Sequence, residues 1–218
     1  MTSNNTPASP LVGEGQHLGV ESLEEFFTRT PKFALAFSGG CDSAYLLAAA
    51  LHAGCDVKAY GVKTAFQPDF EIENSYQLTK ALGAPFELID VDIFSHDEVC
   101  ANDALRCYYC KRVIFNTILK AARKDGYSVL ADGTNATDNP ARRPGFQALR
   151  ELGIVSPLRR AGLTKDEIRA ESAKLGLFTA DKPSFSCLAV HSPSDATLTP
   201  TILSQTYQQL KEEGIIRS

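Results

Sequence analysis

Apolar runs of strand length alternate with amphipathic stretches of helical spacing along most of this chain. The apolar runs predict strands at residues 33–37, 57–62, 86–91 and 128–131. The amphipathic stretches predict helices at residues 21–28, 42–52, 71–82, 110–124, 146–152, 164–176 and 200–213. Continuously apolar strands separated by helices are typical of a parallel sheet that is covered on both faces. The pattern therefore predicts an α/β fold with a doubly wound, Rossmann-like parallel sheet.

The two ends of the chain differ from its middle. Residues 1–15 are rich in Ser, Asn, Thr, Pro and Gly, so we expect a disordered tail there. The alternating strands and helices define a main domain at residues 16–189. Residues 190–218 are predicted to form a short C-terminal helical extension, in which Thr199 caps a helix that begins at Pro200.

Two polar segments directly follow predicted strands. Residues 38–43 follow the first strand, and residues 132–135 follow the fourth. Right-handed crossovers place the carboxyl ends of parallel strands along one edge of the sheet, where ligands bind. We therefore expect both segments to lie together at that edge.

Composition and charge narrow the classes of function. Hydrophobic residues make up 44% and charged residues 22% of the chain, which is ordinary for a soluble globular protein. The net charge of −4 argues against a general basic surface for nucleic acid. No apolar run approaches the roughly 20 residues of a membrane span, and the N-terminus lacks a signal-peptide pattern. We expect a cytoplasmic protein whose six cysteines are not structural disulfides.

The segment at residues 38–43 has the features of a phosphate-binding loop. Gly39 and Gly40 allow the backbone to approach an anion closely, and the following helix offers free N–H groups. Ser38 and Ser43 add hydroxyl donors, and Asp42 could hold Mg²⁺. The pattern lacks the Gly-Lys-Ser/Thr ending of a Walker loop. The alternative is an ordinary glycine-rich turn that binds nothing.

Three cysteines are candidates for metal binding or catalysis. Cys107 and Cys110 form a CxxC pair beside Arg106 and Lys111, whose positive charges are expected to lower the thiol pKa values. Cys187 lies far downstream, on another predicted loop. Three thiolates suit a 4Fe-4S iron–sulfur cluster with one iron left open.

A zinc site is the alternative for these cysteines, with His191 as a possible fourth ligand. The remaining cysteines, Cys41, Cys55 and Cys100, are interpreted as packing residues.

The Ser-Gly-Gly-x-Asp-Ser motif after a strand resembles the PP-loop of the adenine nucleotide α-hydrolase superfamily. Further segments, in this order, resemble the LarE family of ATP-dependent sulfur transferases: residues 106–111, 132–135, 143–145, 156–158 and 181–189. The similarity covers roughly residues 33–189. It implies a PP-loop fold that cleaves ATP between its α and β phosphates.

The resemblance also implies a reaction. ATP adenylates a carboxylate of a pyridinium dicarboxylate mononucleotide and releases pyrophosphate. Sulfur then displaces AMP and leaves a thiocarboxylate, on the route to the nickel-pincer nucleotide cofactor of lactate racemase. The implied partners are this small carboxylated nucleotide and further copies of the chain, with no membrane and no nucleic acid.

Within the family, the cysteines serve in one of two ways. Some members sacrifice the sulfur of the cysteine that matches Cys187. Others use three cysteines, matching Cys107, Cys110 and Cys187, to hold a 4Fe-4S cluster. Because this chain has all three, we expect them to be catalytic residues and the ligands of a cluster.

Several other residues are expected to face the ligands of this edge. Asp132, Gly133 and Thr134 are expected to contact the nucleotide. The candidates for neutralising phosphate or carboxylate charge are Lys63, Arg143 and Lys182. The alternatives are a plain turn for the first group and solvated surface charges for the second.

The chain departs from the family pattern near its end. Val190 and His191 replace a Ser-Arg pair that handles substrate phosphate in the family, and only a short segment follows. A separate chain could supply the part that completes the substrate site. Two other functions stay open: a PP-loop enzyme that thiolates tRNA, and a nucleotide-binding subunit that needs a partner for chemistry.

Overall fold

The computed structural model describes residues 20–140, 143–194 and 196–216. The predicted tail at residues 1–15 lies outside the described residues. The strands are β1 Lys32–Ala36, β2 Asp56–Lys63, β3 Phe86–Asp90 and β4 Leu130–Ala131. The larger helices are α1 Leu23–Arg29, α2 Cys41–His52, α3 Asp69–Leu82, α5 Arg106–Lys124, α6 Gly145–Glu151, α8 Lys165–Lys174 and α10 Pro200–Glu212. Single-turn helices are α4 Asp97–Cys100, α7 Pro157–Arg160 and α9 Leu188–His191, with a 3₁₀ turn at Ile93–Ser95.

The strands form one parallel sheet in the order β3-β2-β1-β4. Successive residues of β1 point to opposite faces, as strand geometry requires. Leu35 packs with α2 and α8 in one core, whereas Ala34 packs with α5 and α6 in another. Helices therefore cover both faces, and the predicted doubly wound α/β fold is confirmed.

A third core lies beside the sheet, where the chain after Cys187 packs back onto the domain. Its buried members are Phe66, Ile93, Val99, Leu188, Ala189, Leu198, Leu203, Leu210 and Ile216. The division into residues 16–189 and 190–218 stays a prediction. None of the helices in the described part of the chain combines the length and apolarity that a membrane span requires.

Local capping explains why several helices begin where the sequence predicts. The Thr164 side chain accepts a hydrogen bond from the N–H of Glu167, and the Glu167 carboxylate accepts one from the N–H of Thr164. At the start of α10, the Thr199 side chain accepts a hydrogen bond from the N–H of Ile202.

Helix α5 begins at Arg106, four residues before its predicted start. An Asp103 carboxylate oxygen accepts the N–H of Leu105 at 2.7 Å, which organises the turn that leads into the helix. The earlier start places Cys107, as well as Cys110, on the first turns of α5.

Candidate active site

The predicted phosphate loop connects β1 to α2 at the carboxyl end of the sheet. Gly39 has a φ of 70°, a conformation that L side chains rarely adopt. A Cβ at this position would also collide with Ser75 Oγ and lie 3.2 Å from the Ser75 amide nitrogen of α3. Glycine is therefore needed at position 39, where the loop backbone packs directly against α3.

The loop leaves the N-terminus of α2 without a side-chain cap, because its N-cap residue is Gly40. The nearby hydroxyls bond within the loop: Ser43 Oγ donates to the Gly40 carbonyl at 3.1 Å and lies 3.2 Å from Ser38 Oγ. Free N–H groups at the start of a helix form a ready site for an anion. The arrangement fits phosphate.

The two segments that were predicted to share this edge are in direct contact. A Cβ at Gly133 would lie 2.9 Å from the amide nitrogen of Ser43, so glycine is needed for the approach. Asp132 is buried and organises the turn: it accepts from Ser156 Oγ at 2.7 Å and from Thr134 Oγ1 at 2.5 Å. Nucleotide contacts for Asp132, Gly133 and Thr134 stay predictions.

Asp42 is paired with a lysine that the sequence analysis did not single out. Lys165 Nζ lies 2.7 Å from Asp42 Oδ2, and both side chains are 24% exposed. The other carboxylate oxygen, Asp42 Oδ1, is buried without a hydrogen-bond partner. Buried polar atoms are normally satisfied, and carboxylate oxygens are the ligands that Mg²⁺ prefers. The residues present therefore fit a hydrated Mg²⁺ at Asp42.

Lys182 is held beside the phosphate loop by a second ion pair. Its Nζ lies 2.9 Å from Glu71 Oε1 in the first turn of α3, and both side chains are largely buried. Arg169 of α8 fixes the backbone there by donating to the Lys182 carbonyl at 2.8 Å and to the Ala180 carbonyl. Two lysines thus flank the loop, each neutralised by a carboxylate.

The other predicted cations lie further out. Lys63 ends β2 and is 4.0 Å from the exposed carboxylate of Asp69, at the rim of an open cavity of about 340 Å³. Arg143 is 64% exposed and lies 2.6 Å from Asp138. Neither side chain is bonded to the phosphate loop within the described ranges, so their ligand contacts stay predictions.

Cys107, Cys110 and Cys187 come together at the start of α5 and immediately before α9. Cys110 and Cys187 pack against the third core. Their mutual influence shows the proximity: Cys187 and Cys107 both raise the pKa of Cys110, and Cys107 raises that of Cys187.

The expected lowering of the thiol pKa is wrong for Cys110, and the pKa of Cys187 is raised as well. Burial, followed by the neighbouring thiols, raises the pKa of Cys110 to about 12. Burial also raises the pKa of Cys187. Arg106 acts in the opposite direction on both but is outweighed by the loss of water around the thiols. Both thiols are therefore protonated at neutral pH.

Among the residues that the structure describes, no three His, Cys, Asp or Glu side chains stand close enough to hold a metal ion. The three thiols match an iron–sulfur cluster in donor type and number. The proposed fourth zinc ligand, His191, stacks on Phe185 with ring centroids 5.7 Å apart. The cluster stays a prediction.

The remaining cysteines are packing residues, as predicted. Cys41 is 4% exposed and lies 3.5 Å from Ser172 Oγ. Cys100 is buried, and Cys55 packs against the core between the sheet and α2.

Comparison with known proteins identifies several relatives, although no protein-family model matches the chain. An uncharacterized protein of Synechocystis sp. is 33% identical over 83% of this chain and 68% of its own length. The pyridinium-3,5-bisthiocarboxylic acid mononucleotide synthase of Lactiplantibacillus plantarum is 30% identical over 80% of this chain and 64% of its own length. The tRNA-specific 2-thiouridylase MnmA of Thermobifida fusca is 28% identical over 71% of this chain and 52% of its own length. The chain thus spans between about half and two thirds of the length of these relatives.

Proposed function

Because the chain belongs to the LarE family of PP-loop proteins, we propose that it is an ATP-dependent sulfurtransferase. It adenylates the carboxylate of a pyridinium mononucleotide and then replaces the adenylate with sulfur. One observation carries this proposal: the start of α2 has no side-chain cap, and it lies between two glycines that allow close packing, Gly39 against α3 and Gly133 against Ser43. This is the geometry that a leaving pyrophosphate needs.

In the first half-reaction, a carboxylate oxygen of the substrate attacks the α-phosphorus of ATP. A new P–O bond forms, the bond to the β-phosphate breaks, and pyrophosphate leaves. The amides at the start of α2 bind the leaving group, and Asp42, whose Oδ1 lacks a hydrogen-bond partner, would hold a Mg²⁺ ion that shields the phosphate charge. Lys165 and Lys182, which flank the loop in ion pairs with Asp42 and Glu71, are the candidates for stabilising the charge that develops on the phosphates.

In the second half-reaction, a sulfur nucleophile attacks the acyl carbon, the C–O bond breaks and AMP leaves. Cys107, Cys110 and Cys187 are the proposed sulfur-handling residues. A 4Fe-4S cluster on these thiols would supply an open iron for an additional sulfide. The high pKa values of Cys110 and Cys187 mean that either thiol must lose its proton before it can bind iron or act as a nucleophile.

The wider setting is proposed on the same family grounds. We expect the protein in the cytoplasm, as a homo-oligomer. The division into a PP-loop domain at residues 16–189 and an extension at 190–218 belongs to this proposal.

The test is mass spectrometry of the products formed from ATP, Mg²⁺, a sulfide source and a pyridinium dicarboxylate mononucleotide. We expect AMP, pyrophosphate and a thiocarboxylate. Cys187→Ser should still release pyrophosphate and should accumulate the acyl-adenylate, with no thiocarboxylate, whereas the control Cys55→Ser should form AMP, pyrophosphate and thiocarboxylate. Formation of ADP, or thiolation of tRNA in place of the mononucleotide, would overturn the proposal.

A further inference from the structure

We propose that Asn102 and Arg106 form a clamp that holds Cys187 within reach of Cys107 and Cys110. The inference rests on the proposed function of the three cysteines and assigns these two residues a positioning role. Cys187 lies far along the chain from the other two cysteines, so its position in the sequence does not bring it near them. Specific contacts between the segments are needed.

Asn102 ties the turn before α5 to the chain beyond α9. It is 3% exposed and has a φ of 56°, in the left-handed region that asparagine tolerates better than most residues. Its Nδ2 donates to the carbonyls of Pro193 at 2.8 Å and Ala196 at 3.1 Å. The Leu198 N–H adds a bond to the Cys100 carbonyl at 2.8 Å. The segment that follows Cys187 is thereby fixed to the segment that precedes Cys107.

Arg106 completes the clamp from the first residue of α5. One guanidinium nitrogen donates to Asn102 Oδ1 and to the Ala189 carbonyl at 2.7 Å. The other nitrogen donates to Cys107 Sγ at 3.5 Å. One planar group therefore contacts a cysteine of α5 and the backbone two residues after Cys187. A lysine could not reproduce this fork.

The guanidinium is also unusual in its charge environment. It is partly buried, and no carboxylate pairs with it among the described residues. Its acceptors there are an amide oxygen, a carbonyl oxygen and a sulfur atom. Even a partly buried cation without a carboxylate partner adds little to stability as a purely structural device. Its position between the cysteine-bearing segments accounts for it.

The experiment measures thiol proximity directly, without iron and without turnover. Phenylarsine oxide condenses with two neighbouring thiols and releases water, with no change in oxidation state. In a Cys110→Ala background, it should bridge Cys107 and Cys187, as identified by peptide mapping. Adding Arg106→Ala should slow formation of this bridge about tenfold or more, as expected for the loss of charged hydrogen bonds. Arg106→Lys should give an intermediate rate.

Two further variants make the result decisive. Asn102→Gly accommodates the left-handed backbone but removes the side-chain bonds, so it should fold and slow the bridge as Arg106→Ala does. The matched control is Arg112→Ala, which removes an exposed arginine of the same helix that bonds Tyr108. Wild-type bridging rates in Arg106→Ala or Asn102→Gly would overturn the clamp. ATP binding, measured in parallel, tests the proposed function separately, since neither residue contacts the phosphate loop.

Discussion

The two ends of the parallel strands use charged and polar side chains in opposite ways. At the amino end, Lys58 binds Asp125 and lies 2.7 Å from Glu87. Tyr60 donates to the same Asp125 carboxylate at 2.7 Å. These charges are matched by neighbours, so the network ties β2 to β3 and to the end of α5.

At the carboxyl end, polar groups are left partly unmatched. Asp42 has one oxygen paired with Lys165 and one buried without a partner. The start of α2 lacks a side-chain cap, and the pKa values of the partly buried thiols of Cys110 and Cys187 are raised. The same sheet thus has a satisfied edge that stabilises the fold and an unsatisfied edge that is suited to a ligand.

The largest contrast is expected between two glycines with positive φ at opposite ends of the sheet. Gly39→Ala introduces a methyl group that meets Ser75, and it should weaken ATP binding about 100-fold, or roughly 3 kcal/mol. Gly54→Ala has a similar φ of 77° but open space around it. It should cost about 1 kcal/mol of stability and leave ATP affinity unchanged. Isothermal titration calorimetry and urea denaturation measure the two quantities. Equal ATP affinities in the two variants would show that Gly39 has no special role in ATP binding.

The second effect concerns the lysine that pairs with Asp42. Lys165→Ala should lower the rate of pyrophosphate release about tenfold, because it leaves a carboxylate charge uncompensated beside the phosphates. Lys174→Ala is the matched control, since it removes an exposed lysine of the same helix that pairs with Glu171. A coupled pyrophosphate assay compares them. Similar rates in both variants would mean that Lys165 only supports the fold.

The third effect concerns the partly buried thiol of Cys110. Because the pKa of Cys110 is raised to about 12, its alkylation by iodoacetamide should rise with pH from 8 to 10 without a plateau. The linked effect on stability has a definite sign. Above the ordinary thiol value of 9.0, the unfolded chain releases this proton and the folded chain keeps it, so stability falls as pH rises. Cys110→Ala should reduce that fall in urea denaturation. A plateau in Cys110 alkylation below pH 9 would contradict the burial of this thiol.

The smallest effect is expected at the amino end and at acid pH. Hydrogen bonds from Lys58 and then Tyr60 hold the pKa of Asp125 below its ordinary 3.8. The carboxylate therefore stabilises the fold above pH 3.8, and this contribution is lost as pH falls through the lower, folded pKa. Asp125→Asn should lose less stability on acidification than the wild-type chain does, with unchanged ATP affinity at neutral pH. A loss of ATP affinity in this variant would mean that the two edges are coupled.

The strands, their parallel arrangement and the helix caps could be predicted from local sequence patterns. The apolar strand runs and parallel topology predicted that residues 38–43 and 132–135 would meet, and Gly133 packs on Ser43. The capping box at Thr164 was readable in the same way. Lys165 lies within that box, but its pairing with Asp42 depends on how α8 packs on α2, which spacing does not encode.

The thiols show where sequence reasoning stops. Arg106 and Lys111 were visible beside the CxxC pair, so the direction of their charge effect was predictable. The burial that outweighs them comes from the third core, which forms only when the chain after Cys187 folds back. The links from Asn102 to distant carbonyls are tertiary contacts of the same kind.

The central claim is that ATP activates a carboxylate at the carboxyl end of the sheet, where the uncapped start of α2 lies between Gly39 and Gly133. The most direct measurement uses a mononucleotide whose carboxylate carries heavy-isotope oxygen, followed by mass spectrometry of the AMP. Attack by that carboxylate on the α-phosphorus, and later cleavage of the C–O bond, leaves one labelled oxygen in AMP. The account predicts labelled AMP in amounts equal to the thiocarboxylate. Unlabelled AMP, or ADP and phosphate as the products, would contradict it.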